Sequence, residues 1–183
     1  MEKNAVDYIE QIALKLKNQP EAVEFLKRLK ESDLTRDENP QSHFCVYFAA
    51  YDPGNKLVFM GHHKKSGRWL FNGGHIDKGE TPLEALTREI GEEWGKEVKF
   101  GAIAEPTLIT ITPISNPMKQ KCETHFDIWY FVPVSKSDFL PNKEKLAEEF
   151  FVNSWLDVTQ ARNVVTDPNN LTAIARIEEL FGP

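Results

Sequence analysis

Apolar residues between positions 4 and 17 recur at three- and four-residue intervals, at Val6, Ile9, Ile12, Ala13 and Leu16, and predict an amphipathic helix. Pro20, following Asn18 and Gln19, suits the first position of a second helix whose apolar face carries Ala22, Phe25, Leu26 and Leu29. The polar run from Ser32 to Ser42 reads as a linker or long loop. His43 to Tyr51 is aromatic and β-branched enough for a strand, Asp52 to Asn55 (Asp-Pro-Gly-Asn) is a turn, and Lys56 to His63 is the return strand. A further turn at Lys65, Ser66 and Gly67 leads into a short strand, Arg68 to Phe71, and then to the pair Gly73 and Gly74.

The next helix announces its own start. Thr81 with Glu84 three residues on, and Pro82 between them, forms a capping box around a first-turn proline. From that register Leu83, Leu86, Ile90 and Trp94 make one apolar stripe for packing on a sheet. Strands are expected within Lys96 to Thr112 and over Glu123 to Val134, with Asn116 and Pro117 in the loop between them. A last strand over Phe150 to Leu156 precedes a helix from Pro168 to Phe181. The pattern is a mixed sheet with flanking helices, free of internal repeats. It divides into a helical extension over residues 1–40 and a main domain over 41–183. The two leading helices read as a docking arm, a homodimerisation element or a cap on the core.

Composition narrows the function. At 183 residues, with 40 % apolar and 27 % charged side chains, the chain suits one soluble domain with a sizeable core. No apolar run approaches the roughly 18 residues of a membrane span, and Met1 to Asn4 lacks a secretory pattern, so a cytoplasmic location is expected. Cys45 and Cys122 match neither a CxxC motif nor a zinc-ligand spacing and read as reduced, buried thiols. A net charge of −6 argues against broad nucleic-acid binding, which depends on Lys and Arg neutralising phosphates. A small phosphorylated ligand remains compatible with it, provided that cations supply local positive charge.

The acidic face of the capped helix is where such cations belong. Glu89, Glu92 and Glu93 stand at i, i+3 and i+4, so their carboxylates crowd one flank close to the negative end of the helix dipole. Arg88 can pair with Glu84 or Glu92, but one guanidinium cannot neutralise the group. Mg²⁺ or Mn²⁺, which prefer carboxylate oxygens, can. Taken alone, a run of glutamates on a helix is ordinarily a solvated face.

The wider spacing changes that reading. Gly74, Glu80, Arg88, Glu89, Ile90, Glu92, Glu93 and Gly95 resemble the Nudix box, G-x5-E-x7-R-E-U-x-E-E-x-G-U with U apolar. Every specified position matches except the last, where Lys96 replaces an apolar residue. The resemblance implies a Nudix-like α/β/α sandwich and hydrolysis of a pyrophosphate bond in a nucleoside diphosphate linked to another moiety. It further implies Glu89, Glu92 and Glu93 as metal ligands, Glu89 as the base for the attacking water and Arg88 as the group that orients the glutamates. Gly74 would offer a backbone carbonyl to a metal, and Glu80 a supporting charge.

Outside the box the signals are weaker. His62, His63, Lys64, Lys65 and Arg68 form a basic turn that reads as phosphate-binding or merely solvated; Arg68 is the substrate-binding candidate. His125 and Asp127 share one face of a strand and read as substrate contacts or as a structural pair. Glu148 and Glu149, expected in a loop, are candidates for an extra acid. Gly91 inside the helix marks either close approach of another backbone or tolerance. Two other functional classes remain in view: a catalytically silent nucleotide sensor, and an interaction domain whose acidic helix faces solvent.

Overall fold

A computed structural model describes residues 4–97, 103–114 and 121–182. In chain order the elements are α1 (Ala5–Lys15), α2 (Glu21–Arg28), β1 (Ser42–Asp52), β2 (Leu57–His63), β3 (Trp69–Leu70), β4 (Asn72–His75) and α3 (Pro82–Trp94). There follow β5 (Leu108–Pro113), β6 (Thr124–Pro133), α4 (Lys143–Glu149), β7 (Phe150–Asp157), α5 (Val158–Val164) and α6 (Pro168–Leu180). The fold is the expected mixed sheet with helices, an α/β/α sandwich. Strand order is β3-β2-β1-β6-β5, with β4 paired to β1 and β7 to β2. By contacts the chain falls into two compact units, and β1, α3 and β6 each contribute to both.

The first unit comprises Met1–Tyr47, Gly73–Leu86 and Glu105–Trp129. Asn4 caps α1 through the Asp7 amide at 2.9 Å. Ile9, Ile12 and Ala13 are buried as expected, while Val6 stays exposed. Pro20 sits just before α2 rather than at its first position. The adjoining Gln19 carboxamide is committed to the β5 backbone: it donates to Thr107 O (2.9 Å) and accepts from Ile109 N (3.0 Å). Phe25 of α2 meets Phe44 and Phe126 edge-on, each at 5.4 Å, and this joins the leading helices to the sheet. Arg28 is unexpectedly buried. Its guanidinium donates to the carbonyls of Ser32, Asp33 and Ser42, closing the loop that the sequence left open.

β5 and β6 run antiparallel from Leu108 opposite Trp129 to Pro113 opposite Thr124. The strand expected from Lys96 begins only at Leu108; residues 98–102, and the loop expected at Asn116 and Pro117, lie outside the described residues.

The second unit comprises Phe48–Asn72, Thr87–Ala104 and Tyr130–Pro183. The β1–β2 turn is held by buried Asp52, which accepts from Asn55 N (3.0 Å), Asn55 Nδ2 (2.8 Å) and Lys136 N (2.8 Å). β2 pairs antiparallel with β7 along its whole length, from Leu57 opposite Asp157 to His63 opposite Phe150. Two helices went unanticipated. Glu148 and Glu149 belong to α4, not to a loop, and Asn142 caps that helix through the amides of Glu144 and Lys145. α5 carries a capping box, Asp157 with Gln160, that was legible but lay at the end of a strand signal.

Candidate functional site

The acidic helix forms where the sequence placed it. Thr81 N donates to Glu84 Oε2 (2.7 Å) and Glu84 N to Thr81 Oγ1 (3.3 Å), closing the capping box. Ala85, Leu86, Ile90 and Trp94 form the buried stripe; Leu83, expected in it, is only half-buried. Just upstream, Glu80 Oε2 accepts from Asp77 N at 3.0 Å, so this acid braces the turn that carries Gly79 at positive φ.

The three glutamates then take different environments. Glu93 is 7 % exposed, and its Oε2 accepts a hydrogen bond from Nδ2 of the fully buried Asn72. The Glu89 side chain is 12 % exposed and the Glu92 side chain 59 %. Arg88 Nη1 donates to Glu89 Oε1 at 2.7 Å and lies 3.3 Å from Glu92 Oε2. One guanidinium thus orients two carboxylates while a buried amide orients the third. Two of the three acids are largely withdrawn from water, which is not the behaviour of a solvated glutamate face.

The helix end is built to tolerate them. Lys145 of α4 donates to Gly91 O at 2.7 Å, bringing a cation to the negative end of the α3 dipole. Asn142 N caps Trp94 O at 2.8 Å. Gly95 takes φ +63°, the left-handed turn that ends a helix, and a Cβ there would fall 2.8 Å from Asn142 Cβ. Trp94 packs edge-on against Phe48 (4.7 Å) and Phe139 (4.9 Å), which fixes the helix rotation and hence the side on which the acids stand. Among the described residues, a Cβ added at Gly91 would meet only Lys96 O, at 3.9 Å, which favours tolerance over close approach.

The basic turn is already paired. Lys65 Nζ lies 2.9 Å and His63 Nε2 3.4 Å from Glu149 Oε2, and His62 Nε2 contacts Gly67 O at 2.9 Å. Burial acts to raise the Glu149 carboxyl pKa, but the Lys65 and His63 contacts outweigh it and leave the group below its ordinary value. Arg68 is half-exposed, 3.6 Å from Asp167. Asp167 also accepts from Asn170 Nδ2 (2.9 Å), and Asn170 Oδ1 accepts from Phe71 N (2.8 Å), tying the segment before the glycine pair to α6.

The remaining candidates lie in the first unit. Gly73 and Gly74 are in β4, where a Cβ on Gly73 would fall 2.6 Å from Val46 O. Asp127 is fully buried and its Oδ2 accepts from Thr110 (3.2 Å) and Thr112; Thr110 Oγ1 in turn accepts from Trp129 Nε1 at 2.8 Å. His125 is buried beside His43, His75 and Cys122. Burial first, and then the neighbouring His43, push its pKa down to about 4. The sequence reading missed Asn72, Lys145, His43, His75 and Cys122 as site components. Of these, Asn72 and His75, which flank the glycine pair, lay close enough in sequence to be suspected.

A family model described as NUDIX domain matches residues 41–176. A probable DHNTP pyrophosphohydrolase of Lactococcus lactis subsp. cremoris (strain MG1363) is 25 % identical over 161 residues, 82 % of this chain and 95 % of that protein. Among solved structures, the E. coli dihydroneopterin triphosphate pyrophosphohydrolase superposes with a TM-score of 0.61 at 18 % identity, covering 73 % of this chain and 92 % of its own. A C. elegans Ap4A hydrolase superposes with a TM-score of 0.58 at 13 % identity, covering 76 % and 98 %.

Proposed function

Because the chain belongs to the Nudix family of hydrolases acting on phosphoanhydride bonds, we propose that it hydrolyses the pyrophosphate linkage of a small nucleotide-type substrate with Mg²⁺ or Mn²⁺ held by Glu89, Glu92 and Glu93. The observation that carries this reading is the clustering of three carboxylates under partial burial. Three carboxylates share the end of α3 with the Arg88 guanidinium, and two of them are withdrawn from water. A hard divalent cation offsets the mutual repulsion of such a cluster, and an all-oxygen donor set suits Mg²⁺ or Mn²⁺ over softer ions. By the box resemblance the Gly74 carbonyl is a further donor.

Such a cation acidifies water and neutralises charge gathering on the diphosphate oxygens. The residues of the chain do the rest. Arg88, at 2.7 Å, holds Glu89 in a fixed orientation, and Glu89 takes the proton from water as it adds to phosphorus. The bond from that phosphorus to the bridging oxygen breaks, and the leaving phosphate departs as an anion. Asn72 fixes Glu93 so that its carboxylate needs no reorganisation on binding. Arg68, half-exposed, is the proposed phosphate contact on the substrate. His125 and Asp127 are buried and are better explained by packing and by the cluster described below.

The test is a substrate panel with Mg²⁺ or Mn²⁺. Relatives that carry the names of dihydroneopterin triphosphate and Ap4A hydrolases put those two compounds first, followed by ADP-ribose and nucleoside triphosphates. Turnover of at least one, read by phosphorus NMR, and its loss by two orders of magnitude or more in Glu93→Gln is expected, on the order of 3 kcal/mol in transition-state stabilisation. Tight calorimetric binding without cleavage identifies a sensor instead, and full activity in Glu93→Gln removes the metal assignment.

A further inference from the structure

His43, His75, Cys122 and His125 come from β1, β4, the segment entering β6, and β6 itself, yet one ligand atom from each lies within 4.8 Å of all the others. The imidazole centroids are 4.8 Å (His43–His75), 4.9 Å (His43–His125) and 5.2 Å (His75–His125) apart. From this convergence we infer a second metal site, separate from the glutamates and selective for Zn²⁺-like borderline ions, built of three imidazoles and one thiolate. It does not rest on the hydrolase reading.

Donor chemistry sets the ion class. The set contains no carboxylate, which disfavours Mg²⁺ and Mn²⁺, while nitrogen and sulfur donors suit Zn²⁺. Distance agrees. His43 Nε2 and Cys122 Sγ are 3.8 Å apart. Zn–N and Zn–S bonds of roughly 2.0 and 2.3 Å meeting at a tetrahedral angle put the two atoms about 3.6 Å apart. Two nitrogens on one tetrahedral ion stand about 3.3 Å apart, so the wider pairs, up to 4.8 Å, need contraction of up to about 1.5 Å.

The supporting shell is partly in place. His43 Nδ1 lies 2.9 Å from Asn39 O, and since a carbonyl only accepts, Nδ1 carries the proton and Nε2 presents its lone pair toward the thiol. That is the arrangement in which a cation can replace the thiol proton, with one proton released per ion bound. His125 supplies a second observation: its Nε2 is buried and has no hydrogen-bond partner among the described residues. A histidine kept in a core for packing alone normally has that atom satisfied.

Two features set limits. Arg36 Nη1 lies 3.4 Å from His75 Nδ1 and must swing away from the arriving cation; His75, the half-buried member, is then the access side. Cys45, His125 and Asp127 also converge within 4.8 Å, but all three are buried, and Asp127 Oδ2 already accepts from two threonines. The four-residue set is therefore the better site.

The full-length protein is stripped with chelator and titrated with Co²⁺ as the spectroscopic probe and with Zn²⁺ for mass-spectrometric metal counting, both in excess Mg²⁺. Expected are a thiolate-to-cobalt charge-transfer band with intense tetrahedral d–d bands, and about one Zn²⁺ per chain retained through gel filtration. Cys122→Ser abolishes the charge-transfer band, His125→Asn weakens Zn²⁺ retention at least tenfold, and Glu89→Gln/Glu93→Gln leaves both signals intact. The inference is overturned by a wild-type protein that gives only weak octahedral bands and loses its Zn²⁺, a result that needs no variant to fold. It is equally overturned by a charge-transfer band that survives Cys122→Ser, or by one that disappears with the glutamates.

Discussion

The metal site proposed at the end of α3 makes a quantitative prediction that needs no knowledge of the substrate. A divalent cation held, as proposed, by Glu89, Glu92 and Glu93 would bind the folded state better than the unfolded chain, and so would stabilise the fold. At ten times its dissociation constant the gain is RT ln 11, about 1.4 kcal/mol. In a chain of this size about 1 kcal/mol moves Tm by roughly 2–4 °C, so saturating Mg²⁺ raises Tm by about 3–6 °C. Glu93→Gln tests the origin. A glutamine Oε1 still accepts from Asn72 Nδ2, so packing survives, while one buried negative charge and one ligand are gone. The metal-free variant then melts at or slightly above the metal-free wild type, and its Mg²⁺-induced shift falls to a small fraction. Differential scanning fluorimetry on chelator-treated protein, with Ca²⁺-free buffer and Mg²⁺ titrated in, reads both numbers. An equal shift in both proteins, or a strongly lowered metal-free Tm in the variant, shows that the carboxylate is a structural hydrogen-bond acceptor and that the ion sits elsewhere.

Three further outcomes follow from local geometry. Gly91→Ala places its methyl no closer than 3.9 Å to Lys96 O, so it stabilises the protein by about 0.5–1 kcal/mol, read as a higher urea midpoint; a lower midpoint refutes the space argument. Gly73→Ala drives a Cβ to 2.6 Å from Val46 O and 2.9 Å from the Tyr47 ring, which itself stacks on Trp129 at 4.4 Å, and costs about 2–3 kcal/mol by the same measurement. Asp52 has a carboxyl pKa held below its ordinary value, first by the Asn55 side chain and then by Lys136 N. Its contribution is therefore full above the unfolded-state pKa and is lost as pH falls through the folded one. Asp52→Asn, which turns an amide donor toward the donors of Asn55 and Lys136, costs about 1–3 kcal/mol at neutral pH. The gap to wild type narrows in acid, and a gap that stays constant down to the acid transition removes the assignment.

The local part of this protein was legible in the chain. Helix starts at Asn4 and Thr81, the Asp52 turn, the strand at β6 and the box residues on α3 all rest on interactions between residues a few positions apart, and periodicity records those directly. The resemblance carried by Gly74, Glu80, Arg88, Glu89, Glu92, Glu93 and Gly95 pointed to the family, which the match over residues 41–176 establishes. Sequence could not say that Glu93 is buried against Asn72 while Glu92 faces water, or that Lys145, 54 positions away from Gly91, closes the acidic end of the helix. It read Cys122 correctly as a reduced, buried thiol but could not place the histidines beside it, because they arrive from three different strands with no fixed spacing between them. Those contacts depend on strand order and register, set by the whole core at once, and no window along the chain holds enough of the core to contain them.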